Sequence, residues 1–553
     1  MWQERYESWR AYVGMEQSVK QALAAYTPEQ AQEAFCQSLT FGTGGLRGIM
    51  GAGTNRMNVY TVDKASRGYA RYLCRHAGQP SCAIAYDSRN NSEHFARVAA
   101  VSMAQLGIKV YIFTQLKPTP MLSFAVGYLG CTGGVVITAS HNPAAYNGYK
   151  VYGADGCQIT LNAAEEIQKY IEGESDFSEC GADFEEMMSA GKIQWIDKSV
   201  EAAYFQSTLM HRIEPPMETL AVVYSALNGA GNEPVRSILN SIGNVQVTVV
   251  PEQMEPDGNF PTCPFPNPEE PGALRLAGEL AKAEGADFCM ATDPDCDRIG
   301  VGVPTVEGVE LLNGNEMGCM LLNFICARRL EKGNMPQNPV VIKTIVSTQM
   351  ANAIAKRYGL CVIEVLTGFK FIAEQIGLLE EKGERDRFLF GFEESYGYLN
   401  NPDVRDKDAV NAAMLICEMA SYYKGQGKNL LQARDELYAA YGHYYERQMS
   451  FTMEGISGRA HIQRLMESFR SQGDNLFGKT ILTKTDYLTM DTGLPKSDVI
   501  AFEFSDQSRV VIRPSGTEPK IKLYLSDKSK TSGERGEMVE AWANVITKWM
   551  ARR

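Results

Sequence analysis

Residues 286–298 read ADFCMATDPDCDR, an apolar run of strand length that stops in alternating carboxylates. So short a run, flanked by turn residues, is a buried strand. Working backwards from it, the chain gives a helix through ALRLAGELAKAEG (273–285), a strand VQVTVV (245–250), a helix from about Glu233 and a strand LAVVYSAL (220–227). This is βαβαβ. The same order precedes it, with CAIAYD (82–87), a helix from Ser92 to about Leu106, IKVYIFT (108–114), another helix and GGVVITAS (133–140). It also follows, with VVIKTIVST (340–348), MANAIAKRYG (350–359), CVIEVLT (361–367), FIAEQIGLLEEKG (371–383) and FLFGFEES (388–395).

The third strand of the copies ends in TASHNP, DPDCDR and GFEES respectively. Strands alternating with helices of this length predict parallel sheets covered on both faces, with ligands beyond the carboxyl ends of the strands. The polar motifs sit at those ends. The last hundred residues differ: a helix near 457–472, strands AFEFSD (501–506), RVVIRPS (509–515) and KIKLYLS (520–526), and a final helix 536–550. They predict a smaller α+β domain. The expected division is 1–210, 211–325, 326–445 and 446–553. Residues 1–40 read as helical, and Trp2, Tyr6, Trp9 and Tyr12 recur on one face as a packed apolar stripe.

A chain of 553 residues exceeds what one core organises, so several domains are expected. With 44% hydrophobic and 22% charged residues it has the composition of an ordinary globular enzyme. A formal net charge of -12 offers no footprint for nucleic acid. The opening MWQERYESWR leads into no apolar region of a signal peptide, and no run approaches a membrane span. Thirteen scattered cysteines without a regular framework fit reduced thiols. The expected location is the cytoplasm, and the expected partner a small molecule rather than nucleic acid or membrane.

Asp293, Asp295 and Asp297 place three carboxylates on one tight loop, which suits a hard divalent cation. An EF-hand does not fit, since the sixth loop position is Arg298 and the twelfth Pro304. Magnesium, which takes few protein ligands plus phosphate oxygens, does. Ser140 follows a strand and precedes Pro143, with His141 and Lys150 near enough to steer protons or neutralise phosphate. RPSGTEPKIKLY (513–524) sets Arg513, Ser515, Thr517 and Lys520 around Gly516, a composition for an anion nest. FGTGGLRG (41–48) lets the backbone around Arg47 approach a ligand closely. TGFK, with Thr367, Gly368 and Lys370, and GFEES, with Glu393 and Ser395, supply hydroxyls, carboxylates and a cation suited to a sugar. GDNLFGKT (473–480) satisfies the P-loop pattern, but a helical stretch precedes it and a strand-like one follows, the reverse of what a P-loop needs.

In series, TASHNP, DPDCDR, GFEES and RPSGTEPK resemble the α-D-phosphohexomutase superfamily, which includes phosphoglucomutases and phosphomannomutases, over roughly residues 41 to 525. FGTGGLRG and TGFKFI are similar to the phosphoglucomutase 2-like and phosphopentomutase-like branch. The resemblance implies an α/β fold of three related βαβαβ-containing mixed-sheet domains and a smaller C-terminal α+β domain around a central cleft. It implies a phosphoserine at Ser140, and Mg²⁺ held by its phosphate with Asp293, Asp295 and Asp297. It also implies sugar contacts from Glu393 and Ser395, and a distal phosphate on Arg513, Ser515, Gly516 and Thr517. Arg47, His141, Lys150, Arg298 and Lys370 match positions near the transferring phosphoryl group or the sugar. Asn228, where many relatives have histidine, and Ala144 depart from the pattern outside these residues.

The implied activity is interconversion of glucose 1-phosphate and glucose 6-phosphate, with mannose phosphates as further substrates, through a sugar 1,6-bisphosphate. A phosphopentomutase using a pentose 1,5-bisphosphate is the alternative within the same chemistry. A nucleotide-dependent sugar kinase and a non-catalytic phosphosugar sensor are the alternatives outside it. The oligomeric expectation is a monomer or homodimer.

Overall fold

The computed structural model describes residues 2–42, 44–178, 183–453, 456–515, 520–529 and 536–551. Each βαβαβ copy forms one sheet in which the first strand lies between the second and the third, all three parallel. Ser81–Tyr86 lies between Lys109–Ile112 and Gly133–Ile137, and Leu220–Ser225 between Val245–Val249 and Phe288–Thr292. Val340–Thr344 lies between Cys361–Val365 and Phe388–Glu393.

Periodicity did not disclose the return strands. After each third strand the chain reverses and pairs antiparallel with it: Tyr146–Gly153, Ile299–Pro304 and Gly397–Leu399. The sheets are therefore mixed rather than parallel throughout, and each motif loop is the tip of a hairpin. Every tip holds one non-glycine residue in the left-handed region, Ser140 (φ 52°), Cys296 (φ 54°) and Tyr396 (φ 65°). Such a backbone costs roughly 1–2 kcal/mol and persists only where surrounding contacts hold it.

Gly45–Ile49 adds an antiparallel edge on Tyr146–Gly153 and carries Arg47 toward the Ser140 loop. Three helices, Trp2–Ala11, Gln17–Ala25 and Pro28–Phe35, cover this domain as their apolar stripe requires. Trp9 is buried against Phe35, Tyr60 and Phe177 at ring distances of 5.5, 5.4 and 5.3 Å. The helices Gly314–Glu331 and Ala409–Lys424 escaped the sequence reading because most of their residues are buried on every side, which erases the 3.6-residue stripe.

The fourth sheet is antiparallel, in the order 443–452, 520–529, 509–514, 500–504, 479–486 and 475–476. Residues 473–480 form its terminal hairpin, preceded by the helix Ile456–Arg470 and followed by a strand, so they are no P-loop. Lys479 is spent on Ser508 at 2.7 Å and on the Trp542 ring. This domain docks on the third through Ile345, Val346 and Leu366 packed with Tyr487, Val511 and Tyr524. The cysteines of the described residues are all free, and among those residues no helix is long and apolar enough to cross a membrane.

Gly45 (φ 146°) has no room for a side chain: a Cβ there would lie 1.9 Å from the Tyr149 carbonyl oxygen. Gly45→Ala is expected to peel the edge strand off its neighbour. Hydrogen exchange should show lost protection at residues 45–49, with kcat reduced at least about tenfold through Arg47.

Candidate active site

Ser140 is buried, with its hydroxyl donating to Asp293 Oδ2 at 2.8 Å and lying 3.2 Å from His141 Nδ1. The hydrogen bond crosses from the first domain to the second. Two neighbours fix the loop. The Ser140 N–H donates to Thr138 Oγ1 at 2.8 Å, and Arg89 gathers four loop carbonyls: those of Ser140 and Asn142, with those of Pro143 and Tyr146 at 3.0 and 3.1 Å. Arg89 is itself paired with buried Asp87 at 3.3 Å, which also accepts from Thr138 and Ser92 at 2.6 and 2.7 Å. Arg47 reaches the same loop, donating to Asn142 Oδ1 at 3.0 Å. Burial, then the charges of Arg298 and Arg47, hold the His141 imidazole well below its ordinary range.

The loop facing Ser140 buries all three aspartates. Asp293 Oδ1 accepts from the N–H groups of Asp297 and Arg298, both at 3.0 Å. Asp295 Oδ2 accepts from Lys150 at 2.8 Å and Thr119 at 2.9 Å. The segment after Leu227 buttresses this loop: the Ala230 N–H donates to the Pro294 carbonyl at 2.8 Å, and a Cβ on Gly229 would lie 2.4 Å from Pro294 Cα. Asn228 is used within that segment, donating to the carbonyls of Glu252 and Glu255.

The aspartates fit a divalent cation on their own atoms. One ligand oxygen from each lies within 4.8 Å of the others. Asp295 Oδ1 and Asp297 Oδ1 are buried without a hydrogen-bond partner, a costly arrangement unless positive charge satisfies them, while Asp297 Oδ2 has Lys407 and Lys150 at 3.1 and 3.5 Å. Burial and the like charges of Asp295 and Asp297 raise the Asp293 carboxyl well above its ordinary range. Burial opposes ionisation of Asp295 as well, but Lys150, the hydrogen bond from Asp293 and Lys407 together outweigh it and keep that carboxyl low.

The third domain closes the group with a residue that the sequence did not flag. Lys407 Nζ lies 3.1 Å from Asp297 Oδ2, 3.6 Å from Asp406 Oδ1 and 3.9 Å from Glu393 Oε1. Burial disfavours its charge, but these carboxylates outweigh it and hold the amine above its usual range. Asp406 is tied back to the first domain by the Tyr152 hydroxyl at 2.7 Å and Gln158 at 3.1 Å. Glu393 accepts from the Ser395 hydroxyl at 2.7 Å. Thr367 has a buried hydroxyl without a partner, beside Gly368 (φ 120°) at the head of the helix Phe369–Glu381. Lys370 lines a separate cavity of about 370 Å³ between the first and third domains, with Tyr69, Tyr72 and Phe371, where burial pushes its amine down to about 8.

From the fourth domain, Arg513 stands opposite Lys522 on paired strands, and burial together with Arg513 lowers the Lys522 amine. The Ser515 N–H donates to the Lys520 carbonyl at 2.7 Å, closing the neck of the loop. Gly516 and Thr517 lie outside the described residues. Arg513 adds its positive charge near Glu394, whose carboxyl burial and the adjacent Glu393 push up to about 7. Arg298 pairs with Glu269.

Sequence reasoning thus missed Asp87, Arg89, Lys407 and Glu269. Asp87 and Arg89 follow the strand Ser81–Tyr86 directly, so the same strand-end rule could have found them. Lys407 sits in an irregular segment that only the fold carries to the aspartates. Because Arg89 acts as a carbonyl clamp, Arg89→Lys keeps the charge and loses the fork. The expected outcome in steady-state kinetics is a fall in kcat of about a hundredfold, with near-native circular dichroism.

The chain matches the phosphoglucomutase/phosphomannomutase models in order: α/β/α domain I over residues 38–177, domain II over 202–307, domain III over 313–441 and the C-terminal domain over 479–541. A phosphoglucomutase of Staphylococcus aureus (strain MSSA476) is 37% identical over 525 residues, covering 93% of this chain and 94% of its own. Among solved structures, a Thermus thermophilus protein described provisionally as a phosphomannomutase superposes with a TM-score of 0.70 at 23% identity, covering 93% of this chain and 99% of that one. The open form of the Paramecium phosphoglucomutase parafusin gives 0.67 at 16% identity, covering 92% and 94%. At those identities the two structures speak for the fold alone. With all four domain models in series and a relative similar over nearly its whole length, the chain belongs to the phosphoglucomutase/phosphomannomutase family of the α-D-phosphohexomutase superfamily.

Proposed function

We propose that this protein is a phosphoglucomutase that interconverts glucose 1-phosphate and glucose 6-phosphate through a phosphorylated Ser140. The observation that carries this is the hydroxyl of Ser140, held 2.8 Å from Asp293 on a left-handed hairpin tip, with cations of three domains around it. The 37% identity to a relative named phosphoglucomutase supports glucose as the sugar.

In the forward half-reaction the P–O bond to Ser140 Oγ breaks as a P–O bond to the sugar 6-hydroxyl forms. The sugar hydroxyl proton passes by way of His141 Nδ1, 3.2 Å from Ser140 Oγ, to that departing oxygen, and the product is glucose 1,6-bisphosphate on an enzyme with a free Ser140 hydroxyl. The bisphosphate then turns over, and its C1 phosphoryl group returns to Ser140 Oγ, whose proton is lost as the sugar 1-oxygen gains one. Asp293, Asp295 and Asp297, with the serine phosphate, would hold Mg²⁺. When bound, the ion supplies charge neutralisation at the transferring phosphoryl group. Lys150 and Lys407 fix the carboxylates that bind it, Arg47 orders the Ser140 loop, and Arg298 faces the phosphoryl oxygens. Glu393 and Ser395 would take sugar hydroxyls. Arg513, Ser515, Gly516, Thr517 and Lys520 would take the phosphate that is not being transferred, as the fork of Arg513 suits. The free cysteines fit a reducing compartment, and we place the enzyme in the cytoplasm as a monomer or homodimer.

Parallel assays with glucose, mannose and ribose 1-phosphates, Mg²⁺ and a trace of the matching bisphosphate test the substrate. The expected order of kcat/KM has glucose first, and a clear preference for ribose 1-phosphate would overturn the hexose assignment. Ser140→Ala should lower kcat by at least about a thousandfold, and chelation should abolish turnover until Mg²⁺ is restored. Undiminished activity in either case would refute the corresponding role.

A further inference from the structure

Arg298 follows the aspartate loop directly, yet its guanidinium is not spent on the aspartates. One terminal nitrogen donates to Glu269, while Nε lies 3.9 Å from Asp297 Oδ1, buried and without a hydrogen-bond partner. Glu269 comes from PFPNPEEPG (264–272), where Pro266 and Pro268 are buried and each proline fixes its own φ. The backbone there packs on the return strand: a Cβ on Gly300 would meet the Pro268 carbonyl at 2.9 Å. The carboxylate is thus presented on a stiff arm.

On its other side Glu269 faces the fourth domain. It lines a cavity of about 210 Å³ together with Glu394, Tyr396 and Tyr524. Lys522, beside Arg513, feels both the repulsion of Arg298 and the attraction of Glu269. The side chain of Glu269 is 28% exposed and that of Arg298 15%, so an incoming ligand can reach the pair. Cations from two domains, Arg298 and Lys522, thus act on one partly exposed carboxylate.

We infer that Glu269 is an internal stand-in for phosphate: it holds one terminal N–H of the Arg298 guanidinium and surrenders it to a phosphate oxygen of the sugar phosphate. The inference rests on the mutase reading for the nature of that ligand. A guanidinium accepts carboxylate and phosphate alike, and the terminal nitrogen that Glu269 holds cannot serve both fully. A phosphate that engages that terminal nitrogen breaks the Arg298–Glu269 pair and is left beside an anion. Glu269 positions the guanidinium beforehand and weakens ground-state binding. A bisphosphate that must turn over and leave benefits from that weakening, because tight binding of the ground state lowers kcat.

The test compares the wild type with Glu269→Gln and Glu269→Asp. Calorimetry with inorganic phosphate and Mg²⁺ gives Kd, and kinetics with glucose 1-phosphate separates KM from kcat. In Glu269→Gln, Kd and KM are expected to fall about three- to tenfold, the effect of removing one charge-assisted competitor, while kcat falls as well. Glu269→Asp, with a shorter arm, should shift Kd in the same direction by less, and reads the same quantity if the glutamine variant does not fold. A merely structural carboxylate would raise Kd, so unchanged or weakened phosphate binding overturns the inference. A wild type that turns over glucose 1-phosphate while its variants bind phosphate no tighter sinks this inference alone. Tighter phosphate binding in variants of an enzyme inactive on hexoses supports it and sinks the substrate assignment instead.

Discussion

Three buried carboxylates within 4.8 Å of one another are the constraint on which the rest of the structure depends. Carboxylates removed from water repel one another and lose solvation, and in an apolar site they would protonate. Here the chain surrounds them with groups from separate domains. Ser140 and Lys150 come from the first, the backbone N–H groups of Asp297 and Arg298 from the second and Lys407 from the third. The domains are held in register because each contributes to the same charge balance. The oxygens without a hydrogen-bond partner and not met by a lysine, Asp295 Oδ1 and Asp297 Oδ1, mark where further positive charge belongs.

The repeated architecture explains how one cleft gathers such residues. In every copy the functional loop joins a third parallel strand to an antiparallel return strand. That geometry was half legible. The apolar strand runs and the abrupt polar ends of TASHNP, DPDCDR and GFEES were visible, because fully buried strands exclude polar residues until they emerge. The return strands were not, since YNGYKVYG mixes polar and apolar residues and Gly397–Leu399 is too short to show alternation. The hairpin tips likewise carry no glycine to announce their positive φ at Ser140, Cys296 and Tyr396.

Within the site, residues that act from a strand end were legible and residues that arrive by a long excursion were not. Ser140, Asp293 and Glu393 follow apolar strands, whereas Lys407 lies in the buried irregular segment NNPDVRDKD (400–408), anchored by Asp406 to Tyr152 and by the Arg405 N–H to Ser123. A lysine in such a stretch looks like a solvated loop residue until its partner Asp297, in the second domain, is known. Arg89 was obscured differently, because its role is to bind carbonyls, and main-chain acceptors leave no trace in a sequence.

The central claim is that phosphate passes through Ser140 rather than directly between sugar hydroxyls. A single-turnover experiment tests it most directly, with phosphorylated enzyme and glucose 1-phosphate radiolabelled in its phosphate. The account predicts that label moves to the peptide containing Ser140, while the released glucose 6-phosphate carries the unlabelled phosphate first borne by the enzyme. Label retained wholly in the sugar, with an unlabelled Ser140 peptide after turnover, would contradict it.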